Sequence, residues 1–268
     1  MIPAVKRQIP FEIKRRILSA LLRFRRKVDF AIIGFPKCAT TSIAQNLLAV
    51  PGIALPSYEV QLRDYILGKI DTDNPSRRFG IKNPNLIYEQ HNITALVDRN
   101  PKIQLLLCLR RPTDWLFSFY QYRKLHIENN NEWIMPYVRT NPELSEINFD
   151  DIVYNGKDLI GANVKKGVFS DNIKFLLKYV PASQIHITLL EEIASHPTKA
   201  YEKIFTFLNL DPTLMPTVPM KANQNRDLYE SKIHFEDHLE YLDRYYQTKN
   251  IELNQLLFEK WGIKNSYW

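Results

Sequence analysis

The 268-residue chain has only two cysteines, Cys38 and Cys108, and neither lies in a cluster of ligand-type side chains. That excludes a disulfide framework and a cysteine-based structural zinc site. No run reaches the roughly eighteen apolar residues of a membrane-spanning helix, and the N-terminus lacks the apolar core and small-residue cleavage site of a secretory signal. The compartment expected on these grounds is the cytoplasm. Glycine and proline are scattered rather than pooled in a linker, and there is neither an internal repeat nor a low-complexity tract. We expect a basic helix over residues 1–28 and one domain over 29–268.

The formal charge is +7, but it is unevenly spread. Met1 to Val28 holds nine Lys and Arg against the single Glu12, a local +8, so the remaining 240 residues sum to about −1. A body of that charge does not present the basic face that nucleic acid requires. Within the basic stretch, Ile13, Ile17, Leu21, Phe24 and Val28 recur at steps of three or four, one apolar stripe of a helix with arginines around it. The stripe suits a helix lying on the inner face of an anionic membrane, and equally a helix packed on the domain.

Further on, short apolar strands alternate with amphipathic helices. Strands are expected at Phe30 to Ile33, Phe79 to Lys82, Ile103 to Leu109 and Ile185 to Leu190. Helices are expected at Thr41 to Val50, Pro112 to His126, Phe169 to Tyr179, Pro197 to Leu208 and Lys232 to Tyr246. This alternation predicts an α/β fold, a P-loop-like parallel sheet with helices on both faces, and ligands beyond the carboxyl ends of its strands.

The first strand runs into "GFPKCATTS", Gly34 to Ser42. Gly34 permits a tight turn, and the amides of Cys38, Ala39, Thr40, Thr41 and Ser42 open a helix whose positive end points at one spot. With Lys37 in the turn, this is an anion cradle. A nucleoside triphosphatase would need G-x-x-x-x-G-K-[ST], whereas here the lysine precedes the hydroxyls, so an ATP-dependent phosphotransferase is the alternative reading and not the first. No metal is called for. About 70 residues on, "LLLCLRRPTDWLFSFY" ends a buried strand at Arg110-Arg111 and starts a helix at Pro112. Arg110 and Ser118 can close on one phosphate, the guanidinium forking onto two oxygens and the hydroxyl taking a third.

Together, in this order, the two loops resemble those of the sulfotransferases that use 3′-phosphoadenosine 5′-phosphosulfate (PAPS). In that family a P-K-[SAG]-G-T-T loop binds the 5′-phosphosulfate and R-[ND]-P-x5-S-x-Y binds the 3′-phosphate. Lys37, Thr40 and Thr41 match the first, and Arg110, Pro112, Ser118 and Tyr120 match the second. Ala39 replaces the usual glycine and Arg111 the usual Asn or Asp. Lys165 to Leu210 resembles the family's closing block of helix, strand, acidic turn and helix.

"SYEVQLRDY", Ser57 to Tyr65, is similar to the E-[VIP]-H-F-F-D segment of the heparan sulfate type of carbohydrate sulfotransferase, and "FGIKNPNLIY" to its K-[TS]-P-x-Y segment. The resemblance implies Glu59 as general base, Lys37 and Lys82 as charge stabilisers, and Gln61 and Asp64 in the acceptor pocket. It implies PAPS as co-substrate, 3′,5′-adenosine bisphosphate (PAP) as product and a carbohydrate or glycan hydroxyl as acceptor, with a lipid or small hydroxylated metabolite as the alternative. None of the six histidines stands out as a substitute base. "MKANQNR", Met220 to Arg226, reads first as a solvated loop; the resemblance implies the alternative, a closing loop in which Lys221 and Arg226 contact phosphate.

Overall fold

The computed structural model describes residues 9–70, 77–216 and 231–268. Five strands, β1 (Phe30–Gly34), β2 (Ile53–Ala54), β3 (Arg78–Lys82), β4 (Gln104–Leu109) and β5 (Ile185–Leu189), form one sheet in the order β2-β3-β1-β4-β5. Every pairing is parallel, with Phe30 beside Gly80 on one side of β1 and Gly34 beside Cys108 on the other. All five residues of β1 are buried, as the centre of a sheet covered on both faces requires. The four strands expected from sequence are present within a residue or so of their predicted bounds. Strand β2 was not foreseen, because two residues carry no period.

Among the described residues eleven α-helices surround the sheet: α1 (Phe11–Leu22), α2 (Thr40–Leu48), α3 (Leu62–Ile66), α4 (Gln90–Arg99), α5 (Pro112–Glu128), α6 (Met135–Thr140), α7 (Phe149–Val153), α8 (Phe169–Leu177), α9 (Leu190–Ser195), α10 (Pro197–Phe207) and α11 (Glu236–Trp261). Leaving β1 the chain moves towards β3 and β2, whereas leaving β4 it moves towards β5. Right-handed crossovers therefore send α2 and α5 to opposite faces. Helix α10 shares the α2 face, and α11 packs on α5 and α8 across the sheet. The expected last helix, Lys232 to Tyr246, is a 3-10 turn at Lys232–Phe235 followed by a helix that runs on to Trp261. Its buried residues Leu242, Tyr246, Leu253, Leu256 and Leu257 continue the stripe well beyond the predicted end, and Gly262, at φ 66°, closes it.

The N-terminal stripe needs a correction. Helix α1 ends at Leu22, and Val28, which was assigned to the same stripe, is core. The helix docks through the opposite face: Leu22 is buried, Leu18 packs on the core, Arg15 pairs with Asp98 of α4 at 2.6 Å, and the Phe11 ring meets Phe175 of α8 edge-on at 6.1 Å. Arg99 reaches back from the end of α4 to the Leu22 carbonyl at 3.0 Å.

Candidate active site

Strands β1 and β4 are parallel neighbours from which the chain leaves towards opposite edges of the sheet, so the crevice at their carboxyl ends is its topological switch point. Gly34 closes β1 with φ 131°, and a Cβ there would lie 3.0 Å from the Cys108 amide nitrogen, which leaves no other residue free to sit there. The following turn holds Lys37 at φ 66° and Ala39 at φ 62°, both left-handed and neither a glycine. Ala39 caps α2, which presents its first amides to the crevice. Aromatic packing fixes this turn: the Phe35 ring stacks on Phe169 at 3.9 Å, and the buried Trp115 indole of α5 donates to the Pro36 carbonyl at 2.8 Å.

Arg110, immediately beyond β4, donates to the Lys37 carbonyl at 3.4 Å, so the two anion loops read from the sequence meet. Lys37 is half-buried with its ammonium 4.3 Å over the Tyr122 ring. Desolvation, followed by the nearby Arg110 charge, pulls its pKa down to about 8. A site that concentrates cations at this expense is arranged for an anion. Burial pushes the Cys38 thiol well up, so its contribution to the loop is its backbone.

Lys82 closes β3 and is almost wholly buried. Its ammonium lies 3.4 Å from Thr41 Oγ1 on α2 and 3.8 Å from Glu59 Oε1. Burial lowers its pKa and the Glu59 carboxylate partly restores it. The Glu59 loop is held from beneath: the Val60 amide donates to the Lys82 carbonyl at 2.9 Å, and the fully buried Asn83 side chain donates to the Val60 carbonyl at 3.1 Å. A partly exposed carboxylate is thus suspended over a buried ammonium that also touches Thr41 at the start of α2.

The sulfotransferase-domain family model matches residues 27–238. The chain belongs to the sulfotransferase family. Its fold is similar to a sulfotransferase from Alicyclobacillus acidocaldarius, at 17% identity and TM-score 0.58 over 83% of this chain and 96% of that one. It is also similar to a mouse sulfotransferase complexed with PAP, at 18% identity and TM-score 0.50 over 91% of this chain and 88% of that one. Comparison with curated proteins finds no match.

Within this sulfotransferase the sequence-predicted residues fall into two groups. Lys37, Cys38, Ala39, Thr40, Thr41 and Ser42 form one turn and helix start, which Arg110 meets at Lys37 and Lys82, with Glu59, meets at Thr41, and Ser118 is half-buried on α5, the helix that Arg110 leads into. Gln61 and Asp64 sit differently: Gln61 is exposed at the start of α3, and the Asp64 carboxylate pairs with Lys69 at 3.3 Å. Arg111 does not enlarge the anion site, since its guanidinium pairs with Asp243 of α11, to which Thr113 also donates. Lys221 and Arg226 lie outside the described residues.

Sequence reasoning overlooked one wall of the crevice. The Tyr122 ring lies 4.3 Å from that of His126, Trp133 stacks 6.0 Å from Tyr122, and the Arg123 guanidinium sits 4.9 Å over Trp133. Burial, with Lys37 and Arg123 nearby, lowers the His126 pKa. The signal was there: Ser118, Tyr122 and His126 recur every four residues along α5, on the face that carries the predicted phosphate contact.

Proposed function

We propose that the chain moves the sulfuryl group of PAPS to a hydroxyl of a carbohydrate or glycan, as in the heparan sulfate type of carbohydrate sulfotransferase. The single observation that carries this reading is Lys82, whose buried ammonium touches both Thr41 of the phosphate loop and Glu59 of the preceding loop. The residues fit the nucleotide: a left-handed turn into a helix N-terminus with Lys37 suits the 5′-phosphosulfate, and Arg110 with Ser118 suits the 3′-phosphate. When bound, PAPS supplies an activated sulfuryl group with PAP as leaving group.

Glu59 takes the proton of the acceptor hydroxyl as the acceptor oxygen bonds to sulfur. The bond from sulfur to the bridging phosphate oxygen breaks, and Lys37 meets the charge that collects on that oxygen. Lys82 holds the non-bridging sulfuryl oxygens and orients Glu59. Trp133, 43% exposed, offers aromatic surface against which a sugar can pack. Gln61 and Asp64 bound the acceptor from the α3 side.

The direct test is calorimetric titration of the chain with PAP in metal-free buffer, with ATP plus magnesium as control, followed by transfer of labelled sulfuryl from PAPS to a panel of glycans, hydroxylated lipids and small alcohols. PAP binding that needs no metal, with turnover on glycans, is the expected result. Turnover only on lipids or small metabolites would replace the carbohydrate acceptor; preference for ATP with magnesium would overturn the reading.

A further inference from the structure

We propose that α1 is a membrane-docking element that lays the protein on an anionic lipid surface. Docking of α1 through Leu18, Leu22 and Arg15 turns its other apolar face outward. On that face Ile13 is 51% exposed, Ile17 49%, Leu21 44% and, just past the helix, Phe24 84%. Three of these recur every four residues, so they form one strip along the axis and not scattered surface apolars.

Charge identifies the occupant. Lys14 borders the strip on one side and Arg16 and Arg23 on the other, with Lys27 beyond, and all four are exposed. An apolar strip with basic borders is what a helix needs to bury one face among acyl chains while its cations meet lipid phosphates and carboxylates. A protein partner would call for a complementary acidic groove. A bilayer such as the cytoplasmic leaflet supplies both terms at once. The helix is also rigidly mounted: the bonds of Arg15 to Asp98 and of Arg99 to the Leu22 carbonyl fasten it to α4, so contact with lipid orients the whole body. The basic N-terminal stretch thereby has a role separate from sulfotransfer, and the two can fail independently.

The test is flotation of the full chain with phosphatidylcholine vesicles, with and without phosphatidylserine. Binding is expected only with the anionic lipid, and to fade between about 0.1 M and about 1 M salt as the Debye length falls from about 10 Å to about 3 Å. The double variant Ile17→Glu, Phe24→Glu should bind at least about tenfold more weakly while keeping PAP affinity and melting temperature, since both side chains are exposed. Replacing Arg16 and Arg23 by Gln should weaken binding about fivefold per residue removed. The inference is overturned if the chain ignores anionic vesicles or if the Glu variant floats as well as the parent. It is equally overturned if light scattering shows that the strip holds two chains together and the Glu variant merely separates them.

Discussion

The Lys82 ammonium lies 3.8 Å from the Glu59 carboxylate, at the edge of contact and with nearly all its surface out of water. A buried cation so placed steadies the carboxylate's position without occupying it in a close hydrogen bond. That is the arrangement needed by a base that must still reach an acceptor.

Glu59→Gln should therefore lower kcat by about 10²- to 10⁴-fold, the usual contribution of a positioned base. PAP affinity and melting temperature should stay unchanged, because the Val60 anchors that hold the loop are backbone atoms and Asn83. Near-normal turnover would remove Glu59 from the role and point to His126, whose pKa burial and the nearby Lys37 and Arg123 lower. Single-turnover assays of Glu59→Gln and His126→Ala decide between them.

Lys37 and Arg110 should separate by kinetics. If Lys37 meets the charge on the leaving oxygen as proposed, Lys37→Ala should cost about 10²- to 10³-fold in kcat with a smaller change in PAP affinity. Arg110→Ala should mainly weaken PAP binding, and also free the Lys37 carbonyl it now holds. Small and equal effects from both would contradict the assignment of the two loops.

The pH dependence follows from Lys37. Its pKa is about 8 in the free protein, and a bound phosphate must raise it. Below pH 8 the lysine is already charged and PAP affinity is at its full value. As pH rises through 8 towards the higher pKa of the complex, binding must first recharge the lysine, so affinity falls and protons are taken up. Calorimetry at pH 8.5 or so, in buffers of different ionisation enthalpy, should show fractional proton uptake that Lys37→Met abolishes.

How much of this was legible beforehand depended on whether the signal was local. Strand β1 and its turn were readable because the four apolar residues Phe30 to Ile33 followed by Gly34-Phe35-Pro36-Lys37 admit few alternatives. The α1 stripe was readable as a pattern but not as a location. Periodicity shows that Ile13, Ile17 and Leu21 share a face, whereas Leu18 and Leu22 define a second apolar face that the fold chose to bury. The pairing of Arg111 was not legible for a similar reason, since its partner Asp243 lies 132 residues away on a helix whose placement no local rule gives. The wall of Tyr122, His126 and Trp133 needed both α5 and the turn after it to be in place.

Ala39 offers a stability test. It holds φ 62° and ψ 13°, where an L-residue with a Cβ is strained by about 1 kcal/mol and where the family motif has glycine. Ala39→Gly should relieve that strain, offset in part by the greater freedom of glycine in the unfolded chain, for a net gain of up to about 1 kcal/mol in chemical denaturation. Loss of stability would mean that the Ala39 methyl, which packs against the core, matters more than the backbone.

Trp115 carries the last prediction, because it couples packing to the site. Its indole N–H satisfies the Pro36 carbonyl at 2.8 Å while its ring lies 5.5 Å from both Phe119 and Phe169. Trp115→Phe keeps an aromatic ring but orphans that carbonyl, at a cost of about 1–3 kcal/mol in stability. A purely structural role would end there. If the bond holds the turn that sets Lys37, the variant should also bind PAP about tenfold more weakly at temperatures well below its melting point. The acceptor KM should change little, since Glu59 is held from β3 and not from α5.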